Sequence, residues 1–540
     1  MITVGIYGIA DTTHGRGPTY THDHSVALMR DGRVLTVVQL ERWTGRKHDN
    51  RMPAFIGELL GRLVPADEEV RFVSVNAFVG SSFVSLDGNL RIEPKREVGI
   101  SGELVPAEVT WYPDGLRRRP AEGWVLCHEF AHLASLLPFI GRFEDGALAA
   151  HIDGGASRSA CSFWTVRDGR PELELSSWDL LKDEVNNFNV NPGVRALLGF
   201  AAEEHLDIPG RLMGYAALGQ PDDALEAWLR ERRWLLEVDD ATAGRMLAER
   251  LGTLDPRQRP GQDMAATIQR AFERGICGAL QGRAPAGGRL YLAGGAALNV
   301  PTNAALQRYF GEVWVPPGTN DSGLALGAAA WVEHLDRGPL PIDGPFLHRF
   351  YVPTDEPDDA AIEEVAAMLL AGRIVGVCNG AGELGPRALG HRSLLARADD
   401  VKLRVRLSET VKRREWYRPL APVLCDEAAR VVLDATAATS PLSRWMLGAW
   451  PVDPAWRDHL AGVIHLDGSV RAQVVTDDGH NRWLHRLLRL LWRRDGIPAL
   501  INTSFNGPGE PIVQRHADAR ACATRLGIDG VVIHGSLHRP

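Results

Sequence analysis

The chain has 540 residues, with 60 Lys and Arg against 68 Asp and Glu, for a formal net charge of −8. At roughly 150 residues per domain this length implies three to four compact units, which excludes a short binding module or a disulfide-stapled scaffold. Apolar residues at 45% and charged ones at 24% can supply a sizeable core. The mild acidity and the lack of a Lys/Arg-rich run argue against a nucleic-acid footprint, while leaving room for a local basic groove. Cys127, Cys161, Cys277, Cys378, Cys425 and Cys522 form no CxxC pair, so neither thiolate zinc nor a disulfide framework is expected. The chain opens without a basic-then-apolar leader and has no run of about 18 apolar residues. A cytoplasmic protein that neither crosses a membrane nor binds nucleic acid is expected.

Along the chain, Thr3–Tyr7 reads as a strand, and Ser25–Met29 and Val34–Leu40 as a hairpin. Arg30-Asp31-Gly32-Arg33 between them provides the positive φ angles of a tight turn. The plan recurs at Ala147–Ile152, Asp153-Gly154-Gly155, Ser159–Val166 and Arg167-Asp168-Gly169-Arg170, which predicts a duplicated α/β unit. A third unit is expected at Arg289–Leu292, where a strand ends in Gly294-Gly295. A helical stretch at Ala296–Gln307 and a strand at Val313–Val315 follow. Asn320-Asp321-Ser322 is placed to cap a helix at Gly323–Val332. Pro339, Pro341, Pro345, Pro353 and Pro357 mark a boundary at 335–357. The expected domains are therefore 1–345 and 346–540. Beyond the boundary come a helix at Ala360–Leu370, a strand at Ile374–Cys378, an arginine-rich region, and a strand at Ala499–Ile501 that feeds a polar loop.

Several constellations have the residue types for chemistry. His128 and His132, at i and i+4, lie one helical turn apart, so both can reach one cation, with Asp153 or Asp321 as third ligand. The same spacing also describes two helix-surface histidines. Arg387, beside Gly385-Pro386, and Arg392 present forks that match phosphate oxygens. Lys412, Arg413, Arg414 and Arg418 add cations, although Arg404, Arg406 and much of 412–414 also read as a solvated helix face. His22, in a loop before the first hairpin, has the proton affinity of a general base, and Lys47-His48 can fold back toward it. Arg471 and Ser504 are single polar residues near strand ends.

Together these stretches resemble the NodU/CmcH family of O-carbamoyltransferases. The resemblance rests on His22-Asp23-x-Ser25, Glu41-Arg42-Trp-Thr-x-Arg46-Lys47-His48, His128-xxx-His132, Asp153-Gly154 and Gly210-Arg-Leu-Met-Gly214. It continues through Leu292-Ala-Gly-Gly-Ala-Ala-Leu-Asn299, Asn320-Asp321-x-Gly323 and Gly385-Pro-Arg-Ala-Leu-Gly390-x-Arg392-Ser393. Lys412-x-Arg414-Glu415-xx-Arg418-Pro419 and Asn502-Thr-Ser-Phe-Asn506 complete it. The resemblance implies a duplicated actin/hexokinase-type (ASKHA) N-terminal domain and a YrdC-like α/β C-terminal domain.

The activity implied is ATP-dependent: carbamoyl phosphate and ATP yield carbamoyl-adenylate, and the carbamoyl group passes to an alcohol on a small natural product such as an antibiotic. Arg387, Arg392, Lys412, Arg418, Arg471 and Ser504 would hold carbamoyl phosphate and ATP. Asp153, Gly154, Gly294, Gly295 and Asn299 would line the adenylate site. His128, His132 and Asp321 would hold Fe²⁺, Mn²⁺ or Zn²⁺, with Mg²⁺ accompanying ATP. His22 would act as base on the acceptor, and Lys47 would reach across from the N-terminal domain. A monomer or homodimer is expected.

Three stretches depart from the family pattern. The segment Gly8–Thr21 is longer than the family's short loop, Glu383-Leu384 stands where Glu-Phe is frequent, and Ala216–Gly219 replaces an Ala-Pro-Tyr-Gly-like stretch. Two other readings use similar parts: tRNA threonylcarbamoylation, which the absence of a basic or aromatic RNA-binding segment disfavours, and a non-catalytic nucleotide-binding assembly protein.

Overall fold

The structure, a computed structural model, describes residues 1–9, 21–201, 204–283, 287–350 and 356–539. Most of the long segment before His22 therefore lies outside the described residues. Two sheets of the same plan occupy the N-terminal part. In the first, β1 (Ile2–Tyr7), β2 (Ser25–Arg30), β3 (Arg33–Gln39) and β4 (Val70–Val75) are joined by β5 (Phe83–Val84), β6 (Leu90–Pro94), β7 (Val105–Trp111) and β8 (Glu122–Leu126). The strand order is β3-β2-β1-β4-β8-β7-β6-β5. The second contains β9 (Leu148–Ile152), β10 (Cys161–Arg167), β11 (Arg170–Ser177), β12 (Arg289–Ala293) and β13 (Glu312–Trp314), in the order β11-β10-β9-β12-β13.

In both sheets the first three strands form an antiparallel meander, and the first strand then pairs in parallel with the fourth. β8 and β13 extend the two sheets as further parallel neighbours. The two hairpin turns match residue for residue: Asp31 and Gly32 have φ of 52° and 74°, Asp168 and Gly169 49° and 72°. Two successive positive φ values define the turn whose twist suits a two-residue hairpin. This is the duplicated α/β architecture expected of an actin/hexokinase-type domain, with β5–β7 added to the first copy.

One expectation is corrected. Residues 289–315 are not a third unit, because β12 lies parallel to β9 and completes the second sheet. The chain between β11 and β12 is helical, from Lys182–Asn189 through the 22-residue helix Arg259–Leu280. The helix Leu324–Arg337 then returns to the first sheet. Two glycines permit its close approach: a Cβ on Gly5 would lie 2.0 Å from the Ala325 oxygen, and one on Gly327 1.9 Å from the Ala131 oxygen.

The C-terminal part is built on β14 (Val375–Cys378), β15 (Arg392–Arg397) and β16 (Ala421–Cys425). A separate ribbon pairs β17 (Trp450–Pro451) with β18 (Ser469–Val470). β19 (Gln473–Val475), β20 (Leu500–Ser504), β21 (Gly530–Ile533) and β22 (Ser536–His538) complete a mixed sheet in the order β19-β16-β20-β15-β14-β21-β22. Helices Asp359–Leu370, Arg482–Asp495 and His516–Leu526 belong to the same part.

The described part of the proline-rich boundary segment, as far as residue 350, is strapped to the first sheet and to the C-terminal part. Val37 N donates to Leu347 O at 2.8 Å, His348 exchanges backbone hydrogen bonds with Gly382, and its Nε2 lies 2.8 Å from the Gln39 side chain. Among the described residues, no helix is long and apolar enough to cross a membrane.

Candidate functional site

Helix His128–Ala134 supplies two histidines to a buried centre between the two sheets. His128 Nε2 and His132 Nε2 are 3.0 Å apart, and Asp321 Oδ1 lies 3.6 and 3.5 Å from them. Asp153, just past the end of β9, brings Oδ2 to 3.4 Å from His132 Nε2, so both candidate carboxylates approach the pair. Tyr7 on β1 donates its hydroxyl to Asp321 Oδ2 at 2.7 Å, which turns Oδ1 toward the histidines. Burial, then the Asp321 charge, keeps that phenol well above its ordinary pKa and hence a donor. Two nitrogens and a carboxylate oxygen converging in a buried pocket form a donor set that fits a divalent cation of the Fe²⁺, Mn²⁺ or Zn²⁺ kind.

The second half lines the same centre with backbone. Asp153 accepts from Gly154 N at 2.5 Å and from Gly295 N at 2.7 Å. Gly294 has φ 98°, and a Cβ there would lie 2.2 Å from Ile152 O, so only glycine lets β12 turn against β9 at this point. Asn299 serves a different purpose from the one expected. It caps helix Val300–Leu306 through Thr302 N and exchanges amide hydrogen bonds with Gln269. Its polar atoms are thereby taken up within the protein.

Around Asp23 a second set of groups gathers. The Asp23 carboxylate meets His22 Nδ1 at 3.1 Å and His48 Nδ1 at 2.8 Å, and it accepts from Asn320 Nδ2 at 2.8 Å. An Nδ1–H donated to Asp23 leaves Nε2 as the basic nitrogen of His22. Burial alone would lower the His22 pKa, but the Asp321, Asp23 and Asp153 carboxylates outweigh it and raise the group to about 9. His48 folds back to the first loop with φ 53°, its backbone N–H donating to Glu41 at 3.1 Å. Lys47 Nζ lies 2.5 Å from Asp207 Oδ1. From there a chain of ion pairs runs on: Arg211 lies 3.7 Å from Asp207 and 3.2 Å from Glu415, which in turn lies 3.5 Å from Arg418.

That chain ends at a cationic cluster on the C-terminal sheet. Arg387, Arg414, Arg418 and Arg471 are half-buried and press on one another. Burial, and then the neighbouring guanidinium groups, lower Arg387 to about 10 and Arg414 to about 9, and push Arg471 well down. Guanidinium groups stay charged at neutral pH, so these shifts express the cost of burying like charges together, which an anion would relieve. The Nε atoms of Arg387 and Arg471 are buried with no hydrogen-bond partner.

Lys412 is spent on the polar loop after β20, donating to Ser504 O at 2.6 Å, Asn506 O at 2.7 Å and the Asn506 side chain. Ser504 Oγ accepts from Arg414 at 3.2 Å and donates to Asn506 Oδ1 at 2.7 Å. Arg392 requires a correction. Its side chain is fully buried and donates to the carbonyls of Gln514, Asn379, His391 and Gly380 at 2.9–3.2 Å. Four of its five N–H groups are thus committed to the fold, which leaves it no fork for a phosphate.

The two parts are fastened at the site itself. Gly385 N donates to Gln39 Oε1 at 2.9 Å, and Gly385 O accepts from Arg42 at 3.0 Å. Gly385, at φ 89°, approaches so closely that a Cβ would lie 2.1 Å from Pro317 O. Arg387 is two residues along from Gly385, and Asp321 four residues along from Pro317.

Comparison with known proteins bears on this geometry. Residues 181–330 match the family model described as Carbamoyltransferase N-terminus, and 366–539 match Carbamoyltransferase C-terminus. Nodulation protein U of Sinorhizobium fredii is 37% identical over 562 residues, covering 91% of this chain and 93% of that protein. The chain belongs to the carbamoyltransferase family. It is an enzyme of that group, and small-molecule substrates follow from the membership. Nodulation protein NolNO of the same organism is 26% identical over 582 residues, covering 99% of this chain and 82% of its own. Among solved structures, the ADPNP-bound activator of a 2-hydroxyisocaproyl-CoA dehydratase from Clostridium difficile is 11% identical. It covers 64% of this chain and 100% of its own, with a TM-score of 0.31.

Several residues of this carbamoyltransferase's site carried little signal in the sequence. Asp23, the hub of the His22–His48 pair, was visible only as His22's neighbour. Tyr7 is an ordinary strand residue until β1 is placed beside Asp321. Arg414 looked like one more solvated cation, and Arg42 and Gln39 gain meaning only from contacts more than 300 positions away. Glu383 accepts from the backbone N–H groups of Leu389, His391 and Arg392, so it shapes the Gly-Pro-Arg loop.

Proposed function

We propose that this carbamoyltransferase is ATP-dependent, forms carbamoyl-adenylate from carbamoyl phosphate and ATP, and transfers the carbamoyl group to a hydroxyl of a small natural product. The observation that carries the reading is the cluster of Arg387, Arg414, Arg418 and Arg471, held together with Glu415 the only carboxylate within salt-bridge distance of any of them among the described residues. A carbamoyl carbon is a poor electrophile because its nitrogen donates into the carbonyl, so a good leaving group must be installed. Forming the mixed anhydride brings two polyanions side by side, and clustered guanidinium groups offset their repulsion. Water takes the phosphoryl group of carbamoyl phosphate, releasing phosphate and leaving carbamate, whose oxygen then attacks the α-phosphorus of ATP as pyrophosphate departs. Ser504, held by Arg414 and Asn506, is placed to orient the carbamoyl end. Lys412 fixes that loop from behind, and its charge adds to the field.

The adenylate would then meet the N-terminal centre, with Asp153, Gly154, Gly294 and Gly295 beside it. His128, His132 and Asp321 would hold a divalent cation, which supplies a Lewis acid and offsets the carboxylates that keep His22 protonated. His22, oriented by Asp23, takes the proton of the acceptor hydroxyl at Nε2 as that oxygen bonds to the carbamoyl carbon and AMP departs. The division at 1–345 and 346–540 belongs to this reading, with the C-terminal part as the YrdC-like adenylating unit.

The test is direct. Protein mixed with carbamoyl phosphate, ATP and Mg²⁺ should release pyrophosphate and form carbamoyl-adenylate. Radiolabelled carbamoyl phosphate should then label an alcohol from a panel of glycosides, macrolides and cephems. No pyrophosphate and no adenylate, even with added Fe²⁺ or Mn²⁺, would overturn the proposal.

A further inference from the structure

His151 lies in the middle of the molecule and has no part in the reading above. It is the fourth residue of β9, paired with Ser162 on β10 and Ala293 on β12. Its side chain is fully buried, and neither ring nitrogen has a hydrogen-bond partner among the described residues. An apolar residue would fill such a position without stranding two polar atoms, so an unbonded imidazole there calls for a reason.

Its direction supplies one. Residues i and i+2 of a strand share a face, and Asp153 follows His151 by two, so both project toward helix His128–Ala134. The His151 ring stacks on His132, with centroids 5.1 Å apart and planes at 27°, and it lies edge-on to His128 at 6.4 Å. One donor atom each from His132, His151 and Asp153 lie within 4.8 Å of one another. His132 is the residue that this group shares with the group of His128 and Asp321, and its Nε2 faces both Asp153 and Asp321, at 3.4 and 3.5 Å.

We infer that His151 is a further ligand of the cation held at His128, His132 and Asp321, making the centre a three-imidazole site that selects a borderline transition metal over magnesium. The inference rests on the proposed cation site and deepens it. Magnesium demands oxygen donors in a near-octahedral set, whereas imidazole suits Fe²⁺, Co²⁺ and Zn²⁺. Each imidazole added to the set therefore widens the gap between those ions and Mg²⁺.

The experiment uses the full-length protein stripped by a chelator and titrated with Co²⁺, read by visible absorption and by calorimetry. Wild type, His151→Leu and His128→Ala are compared. His151→Leu should bind Co²⁺ at least tenfold more weakly, with a shifted d–d band and a narrower preference over Mg²⁺. His128→Ala should lose binding more completely. If His151→Leu binds with wild-type affinity and spectrum while His128→Ala does not, His151 is a core histidine and the inference falls, leaving the cation site intact. Wild type that binds neither Co²⁺, Fe²⁺ nor Zn²⁺ overturns both. Should His151→Leu fail to fold, pulsed EPR on the wild-type complex counts coordinated imidazoles directly. Three support the assignment, and two refute it.

Discussion

At the centre between the two N-terminal sheets, the protein gathers carboxylates around histidines. On the C-terminal sheet it gathers four guanidinium groups beside one carboxylate, Glu415. The arginine cluster is costly by itself, since like charges in a half-dry cleft repel, whereas the carboxylates of the first centre lean on the charge of His22. The arginines that serve folding behave differently: Arg392 spends its N–H groups on carbonyls, and Arg71 pairs with Glu333 at 3.0 Å. In the proposed function the guanidinium cluster takes the polyanions and the carboxylate–histidine centre takes the cation. An ion-pair chain runs from Lys47 through Asp207, Arg211 and Glu415 to Arg418.

The contrast can be broken most sharply at His22. His22→Asn should lower carbamoyl transfer by about 10²- to 10⁴-fold while leaving pyrophosphate release unchanged, measured by product and pyrophosphate assays on one sample. Equal loss of both would dissolve the division of labour between the centres. Arg387→Ala should do the reverse, lowering adenylate formation by about 10²- to 10³-fold, with transfer of pre-formed adenylate retained. Full adenylate formation by that variant would remove the polyanion assignment.

Arg392→Met sharpens the distinction between ligand-facing and structural arginines. With the buried carbonyls of Asn379 and Gly380 left unpaired, and those of His391 and Gln514 each losing a donor, a loss of stability of about 3 kcal/mol or more is expected in a denaturant titration. A stable Arg392→Met protein with a raised KM for carbamoyl phosphate would restore Arg392 to the substrate site. The smallest effect concerns pH. The folded state raises His22 from 6.5 to about 9, so the stability it contributes is fully present below pH 6.5 and disappears as pH rises through about 9. The difference in Tm between wild type and His22→Gln, followed from pH 6 to 10 in chelator-treated protein, should shrink across that window. A difference independent of pH would show that the carboxylates around His22 do not set its protonation.

Much of the architecture was legible because turns and strands are local. The two Asp-Gly turns announced both hairpins, and the β-branched runs beside them gave the strands to within a residue or two. The parallel pairing of β9 with β12 was not legible, since β10, β11 and a long run of helices separate them, and the segment 289–315 therefore looked like a unit of its own. Arg392 misled for a related reason. An arginine beside Gly-Pro-Arg reads as a phosphate fork, and only the packing of β15 against the loops at Asn379 and Gln514 shows that its donors are taken. Asn299 likewise proved to be a helix cap, a role that needs only Thr302 three residues on.

Spacing alone left His128 and His132 open between a shared ligand and a plain helix surface; the family resemblance chose Asp321 as their carboxylate, and the fold brings both Asp321 and Asp153 within reach. Length, a nearly balanced charge and a repeated turn were enough to determine a large duplicated α/β protein with a cation-rich final third. Which of those cations face a ligand, and which histidines face one another, was decided by tertiary structure. Charge balance and donor satisfaction belong to atoms hundreds of residues apart, brought together only when the sheets close on the helices between them.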